Sequence, residues 1–242
     1  MMLCIGNVFD QAEATALRSE VDCLRFEDGR ATAGWAARLV KDNEQAHGNG
    51  DQIELLRSRI ADRILQNEIF QLAVRPKALT PLMISRYKAG KQYGTHVDDA
   101  LIGGMRTDVS FTLFLAEPET YEGGALVIES AAGEQEFKLA AGSMVVYPSS
   151  TLHRVGPVQN GERLAAVGWA RSFIRNTEHR EILFDLENAR RDIFDEHYAE
   201  LIAQAEEDIL TNPRLWKVAE REEKHRAEAL AKETPIVPSS AA

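Results

Sequence analysis

Cysteine is scarce in this chain. There are two among 242 residues, Cys4 and Cys23. Two thiols make neither a disulfide framework nor a zinc cluster, so reduced, packing cysteines in a cytoplasmic protein are expected. Nowhere do 18 apolar residues run together, and the first residues show no basic stretch leading into an apolar one. No membrane span and no signal peptide are expected. Basic charge is also in short supply: 28 Lys and Arg stand against 38 Asp and Glu, a formal net charge of −10. Phosphate contacts supply most non-specific affinity for nucleic acid, so DNA and RNA are disfavoured as partners. There is no internal repeat.

What is present suits a folded chain, with 44% hydrophobic and 27% charged residues and length for one large domain or a domain with an appendage. Asp10 and Glu13 form a capping-box pattern ahead of Ala14, Leu17 and Val21 on one helical face. Asp51 and Glu54 repeat it ahead of Ile53, Leu56, Ile60 and Ile64, predicting a second helix to about Asn67. Residues 31–45 alternate only weakly and fit no class. His47, in a glycine-rich loop, reads as solvated. From Leu79 the pattern changes to short apolar runs with turn signals between them: Leu82–Tyr87, Thr107–Leu115, Leu126–Ile128, Glu134–Leu139, Ser143–Tyr147 and Arg163–Phe173. In the second run Val109, Phe111 and Leu113 oppose Asp108, Ser110 and Thr112. Such spacing predicts an all-β barrel or sandwich, mainly β with flanking helices. After Glu178 helical periodicity returns through Ile182, Leu186, Ala189, Ile193 and Leu201, and Asn212-Pro213 predicts the start of a last helix. The divisions are a helical and mixed brace over 1–78, a core over 79–177, a helical module over 178–232 and a tail over 233–242. The stripe on the helical module either packs on the core or makes a homo-oligomer contact.

One constellation carries chemistry. His96 and Asp98 stand at i and i+2, which on an extended segment puts both on one face with Cα atoms about 7 Å apart. His153 supplies a third donor, and Arg163 follows ten residues later. Each is common alone; the combination, in this order, is the 2-His-1-carboxylate arrangement of non-haem Fe(II) oxygenases. Three ligands leave three metal positions, two for a bidentate 2-oxo acid and one for dioxygen. Arg163 suits the far carboxylate of 2-oxoglutarate, because a guanidinium grips it with two parallel charge-assisted bonds. Arg163, Ala165, Val167 and Trp169 would share one strand face.

The segments RYKAGKQYGTHVDDA (86–100), DVSFTLFLAEPETYEGGALVIE (108–129) and YPSSTLHRVGPVQNGERLAAVGWARSF (147–173) resemble the Fe(II)/2-oxoglutarate dioxygenases related to prolyl and lysyl hydroxylases. GRATAGWAARLVKDNEQ (29–45) and the helical C-terminal module resemble the bacterial PKHD-type hydroxylases, some of which are called iron-uptake factors. That resemblance implies a double-stranded β-helix (jelly-roll) core, with His96, Asp98 and His153 as iron ligands and Arg163 as the 2-oxoglutarate arginine. Tyr87 matches an aromatic position lining the co-substrate pocket. Leu113 stands where some prolyl hydroxylases carry a tyrosine that assists the arginine. The implied reaction hydroxylates an unactivated C–H bond of a small-molecule or peptide substrate with dioxygen, while 2-oxoglutarate is decarboxylated to succinate and CO2; L-ascorbate is the implied reductant. Lys91, Tyr93 and Asp99 either line the substrate mouth or merely close a turn. The rival readings are a non-catalytic jelly-roll sensor binding metal and 2-oxoglutarate, and a nucleic-acid demethylase, which the net charge disfavours.

Overall fold

The computed structural model describes residues 1–32, 37–47 and 50–211. The chain divides into two units, Met1–Asp185 and Leu186–Ala242. Strand β1 (Leu3–Ile5) leads to helix α1 (Gln11–Asp22), followed by β2 (Phe26–Asp28), β3 (Lys41–Asp42) and β4 (Glu44–Ala46). Helices α2 (Asp51–Gln66) and α3 (Glu68–Val74) precede β5 (Pro76–Leu79), β6 (Met83–Lys88) and β7 (Gln92–His96). The small hairpin β8 (Leu101–Ile102) and β9 (Met105–Arg106) comes before β10 (Val109–Phe114), β11 (Tyr121–Gly123), β12 (Leu126–Ser130) and β13 (Gly133–Phe137). Then come β14 (Met144–Pro148), β15 (His153–Val155), the 15-residue β16 (Val158–Ser172) and α4 (Thr177–Thr211).

The larger sheet runs β1-β14-β10-β16-β6-β4-β2, with β5 and β11 also paired to β16; the smaller runs β13-β12-β15-β7-β3. Every described pairing is antiparallel. Two cores follow. Outside the larger sheet, Ala14, Leu17 and Val21 of α1, Ile53, Leu56, Ile60 and Ile64 of α2 and Phe70 of α3 pack with Phe111, Leu113, Leu164 and Ala166. Between the sheets, Tyr87, Phe114, Val145 and Tyr147 pack with Leu126, Ile128 and Val155. This is the jelly-roll arrangement of two facing antiparallel sheets. The larger sheet is therefore buried on both sides, and all six residues of β10 are buried.

The first capping box forms: Asp10 Oδ1 accepts from Glu13 N at 2.8 Å, and Glu13 Oε2 accepts from Asp10 N at 2.9 Å. The second does not. Gly50 takes the N-cap of α2 with no side-chain cap, and Glu54 is drawn to Arg57 at 2.7 Å. The second predicted helix ends where expected, at Asn67, which also caps a further short helix, α3, that the pattern did not indicate, accepting from Phe70 N at 2.9 Å. The unclassified segment holds 3-10 turns at Gly29–Thr32 and Ala37–Leu39 and then β3 and β4. The N-terminal 78 residues, expected only to brace, supply strands to both sheets. Within α4, Ile182, Leu186, Ile193 and Leu201 are exposed. The expected last helix from Asn212 and the tail over 233–242 lie outside the described residues. Among the described residues no helix is long and apolar enough to cross a membrane.

Candidate active site

β7 and β15 lie side by side with His96 opposite His153. The register slips between His153 and Val155, so that Val155 pairs with Tyr93 and three steps on β7 span two on β15. A bulge of this kind re-aims side chains. It lets Tyr93 and His96, three residues apart, both face inward, their rings stacked 3.7 Å apart at 15°. Asp98 follows two residues beyond the end of β7. Donor atoms of His96, Asp98 and His153 all lie within 4.8 Å of one another. Asp98 Oδ1 is 3.9 Å from His96 Nε2, and Asp98 Oδ2 is 3.7 Å from His153 Nε2.

The surroundings orient each donor. His96 Nδ1 is 2.8 Å from the Gly94 carbonyl and His153 Nδ1 is 2.9 Å from that of Thr151. A carbonyl only accepts, so each Nδ1 carries the proton and each Nε2 presents its lone pair to the centre. Burial and the neighbouring His153 press His96 down to about 4, which keeps its imidazole neutral at physiological pH. Ser110 Oγ donates to Asp98 Oδ2 at 2.5 Å and lies 2.9 Å from Ser149 Oγ. Since Ser110 has one proton, Ser149 donates to Ser110 in turn. Two neutral imidazoles and a carboxylate, with donor atoms converging and outer bonds fixed, fit a first-row divalent metal such as Fe(II).

These residues line one end of a cavity of about 570 Å3 that also takes in Tyr87, Thr112, Tyr147, Arg163 and Trp169. Arg163, near the start of the central strand, is 1% exposed. Among the described residues its guanidinium makes no ion pair or hydrogen bond, and its Nε is buried without a partner. Tyr87 and Phe114 flank it, with ring centroids 5.2 and 5.4 Å from Cζ. Gly124, at φ +64°, backs its stem: a Cβ there would approach Arg163 Cδ to 3.3 Å. A buried cation without a counter-charge is costly, and a carboxylate entering the cavity would compensate it. Burial raises the Tyr87 and Tyr147 phenols, so both stay protonated donors.

The structure brings His96, Asp98, His153, Arg163, Tyr87, Tyr93 and Asp99 to this one cavity. Tyr93 lies in a strand against His96 rather than in a turn, while Asp99 is exposed at the rim. Lys91 is turned away and pairs with Asp42 at 2.7 Å. Leu113 is in the helix-side core, on the face of β10 away from Arg163, and is no substitute for a helper tyrosine. Thr112 and Tyr147 occupy that cavity wall instead. Sequence reasoning missed Ser110 and Ser149, and it missed Lys41, Asn43 and Gln45, which reach the cavity from β3, β4 and the link between them. The signal was the alternation Lys-Asp-Asn-Glu-Gln, polar at every step and therefore silent to a hydrophobic pattern.

Residues 82–171 match the 2OG-Fe(II) oxygenase superfamily. A PKHD-type hydroxylase of Gloeothece citriformis is 50% identical over 80% of this chain and 89% of its own. Another, from a Synechococcus species, is 47% identical over 89% of this chain and 99% of its own. Among solved structures, a Trichoplax adhaerens prolyl hydroxylase with a hypoxia inducible factor peptide fragment aligns over 75% of this chain and 86% of that one, at 16% identity and TM-score 0.50. The non-haem α-ketoglutarate-dependent epimerase SnoN of nogalamycin biosynthesis aligns over 71% and 77%, at 14% identity and TM-score 0.51. These two likenesses are of fold.

Proposed function

Because this chain belongs to the PKHD-type hydroxylases of the 2OG-Fe(II) oxygenase superfamily, we propose that it hydroxylates a C–H bond with His96, Asp98 and His153 holding the iron and Arg163 the co-substrate. It acts as an Fe(II)- and 2-oxoglutarate-dependent dioxygenase. The observation that carries the assignment is the pairing, in one cavity, of a three-donor cluster with a buried arginine that has no counter-charge among the described residues. Bound at the cluster, Fe(II) supplies the oxidising chemistry that couples decarboxylation of 2-oxoglutarate to hydroxylation. The chain's own part is to position and to enclose. His96 and His153 offer Nε2 lone pairs because backbone carbonyls hold Nδ1–H. Ser110 keeps Asp98 turned to the centre. Arg163 takes the distal carboxylate of 2-oxoglutarate in a two-pronged grip, with Tyr87 beside it and Tyr147 and Thr112 along the wall. Phe114, Leu126 and Val155 keep that end dry.

Tyr93 and Asp99 we place at the substrate side, Tyr93 as a wall of the metal end and Asp99 at the rim. The catalytic core spans 79–177, between the brace and the C-terminal module. A small molecule or a peptide serves as substrate, L-ascorbate keeps the iron reduced, and the protein works in the cytoplasm; the scarcity of cysteine and the family resemblance support these finer points. The exposed stripe on α4 supports a homo-oligomer contact, which light scattering after size exclusion tests. The relatives are hydroxylases, which favours catalysis over a sensor role. Succinate release that requires added Fe(II) and disappears in His96→Ala is the expected result; turnover persisting in that variant would overturn the assignment.

A further inference from the structure

Lys41, Asn43 and Gln45 form a polar stripe along one side of an otherwise largely apolar cavity. They stand at alternate positions and are 5%, 2% and 6% exposed. Between them, Asp42 and Glu44 point outward and pair with Lys91 and with Arg86 and Lys88. Lys41 and Gln45 thus face inward from two short strands of different sheets and Asn43 from the link between them, while the outward ion pairs hold the intervening carboxylates. β3 holds Lys41 opposite Tyr93, and its Nζ lies 5.4 Å from the Tyr93 ring centroid. Tyr93 in turn stacks on His96, so the ammonium sits beside the metal end. The Asn43 carboxamide is buried next to the Tyr87 hydroxyl, and among the described residues neither of its polar atoms has a hydrogen-bond partner of good geometry. Apolar side chains complete the outer wall: Met83, Val97, Leu101, Ile102 and Val167.

Lysine is rarely buried to this extent, and an ammonium at a cavity wall is a point charge that attracts an anion. 2-Oxoglutarate brings two carboxylates. On the reading above, which this inference rests on, Arg163 takes one and the metal takes the other. Lys41 is a further cation in the same cavity. The stripe also lies outside residues 82–171, the part that matches the superfamily, as befits selection of a substrate rather than the shared reaction. We propose that Lys41 is the specificity-determining anchor for a carboxylate on the substrate, with Asn43 reading a neighbouring polar group, and that the substrate is a small carboxylic acid with an apolar body.

The test uses full-length protein loaded with Mn(II) and 2-oxoglutarate. A panel of N-acetylated amino acids with apolar side chains is compared with the matching primary amides by calorimetry. One charge-assisted bond predicts that acids bind about 10–100-fold tighter than their amides. In Lys41→Met, which keeps the stem against Tyr93, and in Lys41→Gln, which keeps a polar end, that preference should vanish while the 2-oxoglutarate Kd stays unchanged. No acid preference in the unaltered protein, or a preference that survives both variants, overturns the proposal. A weakened 2-oxoglutarate Kd in both folded variants overturns it too, since the ammonium would then serve the co-substrate. Failure of 2-oxoglutarate to bind the Mn(II)-loaded protein at all would instead sink the underlying reading.

Discussion

The two faces of the larger sheet are both buried, yet they are built on opposite terms. Toward the helices, Leu164, Ala166, Phe111 and Leu113 meet an apolar layer from α1, α2 and α3. Phe111 adds an edge-to-face contact with Phe70 at 5.6 Å. Toward the smaller sheet, the same two central strands present Arg163, Ser110 and Thr112 to a cavity. Arg163 and Leu164 are neighbours in sequence and equally buried, at 1% each. One is satisfied by hydrocarbon; the other has no counter-charge among the described residues. The first face is apolar packing throughout, whereas the second adds to its own packed side chains groups that are costly without their ligands. A single strand thus separates the two roles by the two-residue period of its side chains.

The comparison breaks most severely at the metal cluster. His96→Ala removes one of three donors, and succinate formation should fall to background. The metal-free protein should melt almost where the parent does, because in it the lost ring turned a bare Nε2 lone pair toward the Asp98 carboxylate. A large fall in the melting temperature of that variant would show the cavity face to be a stability element after all.

Next comes the pair at 163 and 164. Arg163→Met deletes two charge-assisted bonds to the co-substrate, each about 1.5–3 kcal/mol, so the 2-oxoglutarate Kd should rise about 10²–10⁴-fold. The same change replaces a buried cation with an apolar chain, and the ligand-free protein should gain about 1–4 kcal/mol. Arg163→Lys should not restore binding, since an ammonium cannot copy the planar fork. Leu164→Ala is the mirror image. It should cost about 2–5 kcal/mol in denaturant unfolding and leave the co-substrate Kd unmoved. If both substitutions shift stability in the same direction, the division between the faces is wrong.

This division also sets what could be read in advance. The helix-side face was legible: Ala14, Leu17 and Val21, or Ile53, Leu56, Ile60 and Ile64, repeat at helical spacing, and Val109, Phe111 and Leu113 alternate as a strand should. The cavity face was only half legible. Ser110 and Thr112 read as the polar side of a half-buried strand, because alternation cannot distinguish water from a buried cavity that takes polar groups. His96, Asp98, His153 and Arg163 stood out by chemistry rather than pattern. The bulge between Tyr93 and His96 left no local trace, since it is a property of the pairing with β15. Lys41, Asn43 and Gln45 were hidden for a related reason: an all-polar strand gives no hydrophobic period, and two-residue and three-residue strands owe their form to their partners rather than to propensity.

Ser110 offers the finest probe of the division, because it lies next to Phe111 of the apolar layer yet acts on the cavity. Its hydroxyl gives Asp98 Oδ2 a bond of 2.5 Å and takes support from Ser149. Losing an outer hydrogen bond to a metal-binding carboxylate typically weakens the metal by about 10–100-fold. Ser110→Ala should therefore raise the Mn(II) Kd by that factor, measured without turnover. Ser149→Ala, one bond further out, should act in the same direction by less, since it leaves the bond to Asp98 in place. Neither should alter thermal stability as Leu164→Ala does. If Ser149→Ala weakened the metal as much as Ser110→Ala, the two hydroxyls would be working as one unit rather than as a chain with Ser110 as its effective end.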